Sequence, residues 1–133
     1  MTDSLDTNIV LRYILNDIAE QKQQVIKLLN AKNTVHHLST QTFLEIFYVL
    51  ENAYEASREK AVDALSFFLT RYDDIVEYDH DLTRIAFPLY LKHPKLSWAD
   101  CALAAEAEIR HHEPLMTFDK KLANQVTAAK LVE

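Results

Sequence analysis

The sequence predicts an α/β fold: a three-layer α/β/α sandwich around a mainly parallel sheet of four to five strands. Three observations predict it. Short strand-like runs alternate with longer segments of helical spacing. Ser, Thr, Asn and Asp stand at the boundaries between them, where caps and turns belong. The 133 residues, 49% of them hydrophobic, suffice for a single domain with a substantial core.

The elements follow in order. A short first strand ends over residues 4–6. Apolar residues at 10, 11, 14 and 15 place a helix over 8–15. Asn16 or Asp17 is a candidate cap for a second helix to about residue 31, with Val25, Ile26, Leu28 and Leu29 as its apolar positions. Residues 34–38 are β-branched and bounded by polar residues, so they predict a strand. Ser39 or Thr40 caps a helix to about residue 54, and another helix runs over about 58–72. Residues 75–78 predict a strand. Asp81 opens the next helix, with Pro88 as a kink or break near its end. The basic loop LKHPK leads to a helix beginning near Ser97. A strand over 115–118, a short helix from Asp119 to about 126 and an edge strand over 129–132 complete the chain.

Composition excludes several functions. Glycine is absent, which removes every glycine-dependent phosphate cradle, including the P-loop and the dinucleotide fingerprint. The net charge of −6 is the wrong sign for nucleic-acid binding through a broad basic surface. It remains compatible with an acidic pocket bridged to phosphate by metal ions. No apolar run approaches the ~20 residues that span a bilayer. MTDSLDTN lacks the basic-then-apolar pattern of a secretory signal. The single cysteine, Cys101, has no partner for an internal disulfide, so a cytoplasmic location is expected.

Ligands of parallel sheets bind beyond the carboxyl ends of the strands. Asp6 follows the first strand and Asp119 the fourth. Glu45 lies in the first turns of the helix after the second strand. These three should point to a common region, and Asp100, near the start of a later helix, could join them. Each has a structural alternative. Asp6 and Asp119 are placed to cap helices. Ser97 and Asp100 fit the S/T-x-x-acid box. Glu45 sits in FLEIFYVL, apolar on almost every face and therefore expected to be buried; a buried Arg is the alternative partner for it. Asp100 shares a helical face with Leu103, Ala104 and Ala107, a face that helices normally bury. Converging carboxylates repel unless a cation neutralises them. Oxygen-only donors suit one or two Mg²⁺ or Mn²⁺ ions, and the accompanying chemistry is phosphodiester cleavage by metal-activated water.

The four segments resemble a known family. LDTNIVLRYIL, with Asp6, resembles the opening of PIN-domain ribonucleases. FLEIFYVL with Glu45, SWADCALAA with Asp100 and LMTFDKKLA with Asp119 resemble their later motifs, in family order. The length resembles that of VapC-type toxins of toxin–antitoxin pairs. Two departures are HHEP, where such proteins often carry glycine before the last strand, and Asp3 within the first strand. The resemblance implies a metal-dependent endoribonuclease whose products carry a 5′-phosphate and a 3′-hydroxyl. It also implies an antitoxin that blocks the acidic pocket, and a homodimer. Thr117 and Asn8 are expected to support the site by hydrogen bonding. Arg84, Lys92, Lys95, Lys120 and Lys121 are candidate contacts to RNA phosphates. No membrane partner is expected.

Two rival functions remain. A catalytically silent module could keep the fold and act by protein contact. Asp79-His80-Asp81-Leu82-Thr83 also matches the D-x-D-x-T start of haloacid-dehalogenase-type phosphatases. Its structural alternative is a strand end followed by an Asp81 cap. His36 and His37, adjacent on a strand, should face opposite sides and cannot chelate one ion together. His111, His112 and Glu113 are expected in a solvated loop. Phe67, Phe68 and Tyr72 are expected in the core or on a dimer face.

Overall fold

The computed structural model describes residues 2–133. Among the described residues all five strands predicted from the sequence form, every pairing is parallel, and seven helices connect them, so the fold is α/β as expected. The strands hydrogen-bond as a set of three and a set of two, each within one of two compact units that meet between Tyr78 and Asp79.

The first unit runs β1 (Thr2–Ser4), α1 (Thr7–Leu15), α2 (Ala19–Leu29), β2 (Val35–His37), α3 (Thr40–Asn52), α4 (Arg58–Arg71) and β3 (Val76–Glu77). Its strands order β1-β2-β3. Short strands suffice because the ladder continues past them. The Leu5 amide donates to the His37 carbonyl at 2.9 Å, and the Leu38 amide to the Glu77 carbonyl at 2.9 Å. These last bonds place Asp6 and the start of α3 at the carboxyl edge. Helices α1, α3 and α4 bury Leu11, Phe43, Ile46, Phe47, Leu65 and Phe68, each 2% exposed or less. Around Phe68 the rings meet edge-on or tilted, with centroids 5.2 Å from Tyr13 and 5.5 Å from Tyr72. Burial, with the hydrogen bond shared with the Tyr13 phenol, pushes the Tyr72 pKa up to about 12.

Register accounts for Asp3. It lies opposite His36 across the β1–β2 ladder, and the His36 Nδ1 stands 2.5 Å from its carboxylate. His36 is fully buried, whereas His37 points to the other side and meets Glu77 at 3.2 Å. The two histidines therefore face apart, as strand alternation requires.

One boundary in this unit differs from the sequence reading. Asn16 does not cap α2. It ends α1 in the left-handed region at φ 55°, and Ile18 precedes α2 without a side-chain cap bond. Asn tolerates that conformation, and a glycine-free chain must use such residues at its corners. Asp17 instead holds Arg12 at 3.1 Å. His111, in the HHEP loop of the second unit, occupies a corner of the same kind at φ 59°.

The second unit runs α5 (His80–Lys92), α6 (Trp98–Ile109), β4 (Leu115–Thr117), α7 (Lys120–Gln125) and β5 (Ala129–Leu131). Here Asp79, not Asp81, caps α5, accepting from the Leu82 amide at 3.1 Å. Pro88 does not end the helix, which continues to Lys92. Helix α5 packs on α6 through Tyr90 and Phe87, whose rings lie 5.7 and 5.6 Å from Trp98. No helix among the described residues is long and apolar enough to cross a membrane.

Candidate active site

In the first unit the chain turns from β1 directly into α1 at Asp6. Asp6 occupies the N-cap position with extended backbone, yet its side chain makes no cap hydrogen bond. Of the acids named from the sequence, it is the one at a cap position whose carboxylate the helix does not use. Thr7, next in sequence and 7% exposed, donates its hydroxyl to Glu45 Oε2 at 2.5 Å. That bond ties the start of α1 to α3, 38 residues away in sequence. Asp6, Thr7, Asn8, Glu45, Leu44 and Tyr48 all line one cavity of about 480 Å³. Sequence reasoning missed Thr7. Its only signal was its place between two candidates, in LDTN.

Helix α3 corrects one expectation. It is not buried on every face. Phe43, Ile46, Phe47 and Leu50 pack inward, while Glu45 is exposed beside Leu44 and Tyr48. Nor does a buried arginine neutralise Glu45; among the described residues no ion pair reaches it, and its partner is the Thr7 hydroxyl. Thr7→Val keeps the shape and removes the donor. On the phosphodiester cleavage expected from the sequence, steady-state assays should find kcat lowered about tenfold, the lower range for losing a group that orients a ligand. Unchanged cleavage would make this hydrogen bond purely structural.

In the second unit, Ser97 and Asp100 form a complete capping box. The Asp100 amide donates to Ser97 Oγ at 3.1 Å, and the Ser97 amide to Asp100 Oδ2 at 3.2 Å. Asp100 is half-buried, at the margin of the buried stripe of α6, which comprises Trp98, Cys101, Ala104, Ala105 and Ala107. Leu103, expected on a buried face, is 50% exposed. Asp119 caps α7 through Oδ1, which accepts from Lys121 at 2.9 Å and Leu122 at 3.2 Å. Thr117 accepts from the Asp119 amide at 2.9 Å and so holds the backbone that presents this acid. Arg84, Lys92, Lys95, Lys120 and Lys121 are all exposed on this unit, and Arg84 stands 3.9 Å from Asp81.

Asp79, central to the phosphatase alternative, has both oxygens engaged. One caps α5 and the other meets Arg110 at 3.4 Å. Among the described residues no three His, Cys, Asp or Glu side chains are grouped to hold a metal ion. A pair can be enough for Mg²⁺, which keeps several waters and takes one or two carboxylates together with substrate phosphates. Asp6 and Glu45 supply two carboxylates on one cavity, an oxygen-only donor set of the kind this ion and Mn²⁺ take.

Comparison with known proteins agrees with the motif reading. The PIN domain family model matches residues 4–126, across both units. A similar solved structure is that of VapBC2 from Rickettsia felis bound to a DNA fragment from their promoter. It shares 19% identity over 99% of this chain and 98% of that one, with a TM-score of 0.41. No curated protein matches the chain.

Proposed function

Because the chain belongs to the PIN domain family, we propose that it is a metal-dependent endoribonuclease and the toxin of a type II toxin–antitoxin pair. The observation that carries the reading is the acid pair: Asp6, uncommitted to its helix, and Glu45 line one cavity at the carboxyl edge of the β1-β2-β3 sheet. On the strength of their motifs, Asp100 and Asp119 of the second unit are proposed as metal ligands as well. One or two Mg²⁺ or Mn²⁺ ions bound there would activate a water and stabilise the leaving oxygen. The chain's own part is to place its carboxylates. Thr7 fixes the rotamer of Glu45, the β1–α1 turn presents Asp6, and Thr117 steadies Asp119. The exposed lysines of the second unit would meet RNA phosphates. The antitoxin would present an arginine to the acids, because a guanidinium pairs bidentately with carboxylates. A homodimer is the assembly this reading implies.

Incubation of the protein with cellular RNA and Mn²⁺ tests the function. Fragments with 5′-phosphates are expected, and their loss when EDTA removes the metal. A protein whose melting temperature rises with Mn²⁺ but which cuts no RNA would be a silent binding module instead.

A further inference from the structure

Helix α3 leaves an aromatic ring outside the core, and it does so beside the acids. Tyr48 is 67% exposed and Leu44 41%, while their helix buries Phe43, Ile46, Phe47 and Leu50 on its other side. Single exposed apolar residues are ordinary. These two are not scattered. Tyr48 stands three residues after Glu45, on the neighbouring position of the same helical face. Both residues line the cavity that holds Asp6. Two-thirds of the side chain is exposed on the cavity, so the ring is open to a ligand.

The charge of the protein says what kind of contact a nucleic-acid substrate needs there. With two carboxylates and, among the described residues, no basic side chain in its lining, on a chain of net charge −6, the cavity itself offers RNA little electrostatic affinity. Stacking on an aromatic face does not depend on charge, and it tolerates any base because every base has a π-face. Unpaired bases of single-stranded RNA are the ones free to splay onto such a ring. On the nuclease reading given above, we infer that Tyr48 is a stacking platform for a base of single-stranded RNA, next to the phosphate that a cation held by Asp6 and Glu45 would engage. Leu44, one turn earlier, borders the same base. A protein partner would also cover an exposed tyrosine. The shared cavity favours RNA, since the ring lies with the carboxylates and not on a separate face.

The test uses the full chain, its Tyr48→Phe and Tyr48→Ala variants, and a short single-stranded RNA carrying 2-aminopurine. With Ca²⁺ replacing Mn²⁺ to hold cleavage back, the wild type should quench the fluorescent base on binding. Tyr48→Phe should match it. Tyr48→Ala should bind about tenfold more weakly, within the range for losing one stacked base, and should quench little. In Mn²⁺ the alanine variant should raise KM about tenfold while kcat stays within about threefold. Tyr48 is exposed, so the variants should fold, and their circular dichroism should coincide. Equal quenching and KM in Tyr48→Ala would overturn the inference, as would RNA binding by the wild type without quenching. Intact RNA affinity combined with weakened antitoxin binding would assign the ring to a protein partner and also overturn it. Quenching by a wild type that cuts nothing in Mn²⁺ would sink the nuclease reading and leave the stacking platform standing.

Discussion

Asp100→Asn is expected to keep the metal-free fold within about 1 kcal/mol of wild type and to lose nearly all RNA cleavage. The first half follows from the capping box. An asparagine oxygen can accept the Ser97 amide as Asp100 Oδ2 does, and the Ser97 hydroxyl still receives the residue-100 amide. What disappears is one negative charge at a helix N-terminus, usually about 0.3–1 kcal/mol. The second half follows from the proposed role as a metal ligand. A cation that binds only the folded chain stabilises it by about 2.7 kcal/mol at a hundredfold excess over its dissociation constant. The variant should forfeit most of that gain. Thermal melts of both proteins, in EDTA and in Mn²⁺, separate the two roles. An equal metal-induced rise would reduce Asp100 to a cap.

Phe68→Ala should destabilise the fold by about 3–5 kcal/mol, the cost of removing a large buried ring and leaving a cavity. Phe68 is fully buried, and its ring meets Tyr13 from α1 and Tyr72 at the end of α4. A deletion there withdraws contacts from two helices at once, and the surrounding rings are too large to collapse into the space. Urea unfolding should show a lower midpoint with an unchanged slope. Phe67→Ala is the control. The neighbouring ring is 67% exposed, so its loss should stay within about 0.5 kcal/mol, as for most surface substitutions. A similar loss from both variants would mean that the exposed ring is covered in solution, as a dimer face would require. The sequence grouped Phe67, Phe68 and Tyr72 together; the fold separates Phe67 from the other two.

Element order was legible from local chemistry. Ser39, Ser57, Ser97 and Asp119 each bind amides within the next three residues, and such caps can be read from short windows of sequence. The strand over 34–38 followed from a short β-branched run bounded by polar residues, for the same reason. Glycine's absence excluded phosphate cradles by composition alone. The four acidic motifs, in family order, identified the family that the comparison then showed. Boundaries failed where a residue had two local uses. Asn16 suits the start of one helix and the end of another, and only the path of the chain decided for the latter. Asp79 and Asp81 could each begin α5, and the cap bond went to Asp79.

By itself, then, the sequence determined the α/β order of elements, the residues able to cap them and the four candidate acids. These depend on neighbours a few positions apart. Only the tertiary structure decided which acids their own helices use. Asp119 at its N-cap and Asp100 in its capping box each commit one oxygen to nearby amides, whereas Asp6 at its N-cap commits neither. Only the tertiary structure joined Thr7 to Glu45 and Asp3 to His36, pairs 38 and 33 residues apart. It also turned Glu45 and Tyr48 outward on a helix that looks apolar all round. Helical periodicity tells which residues share a face; which face meets the core depends on elements packed from elsewhere in the chain.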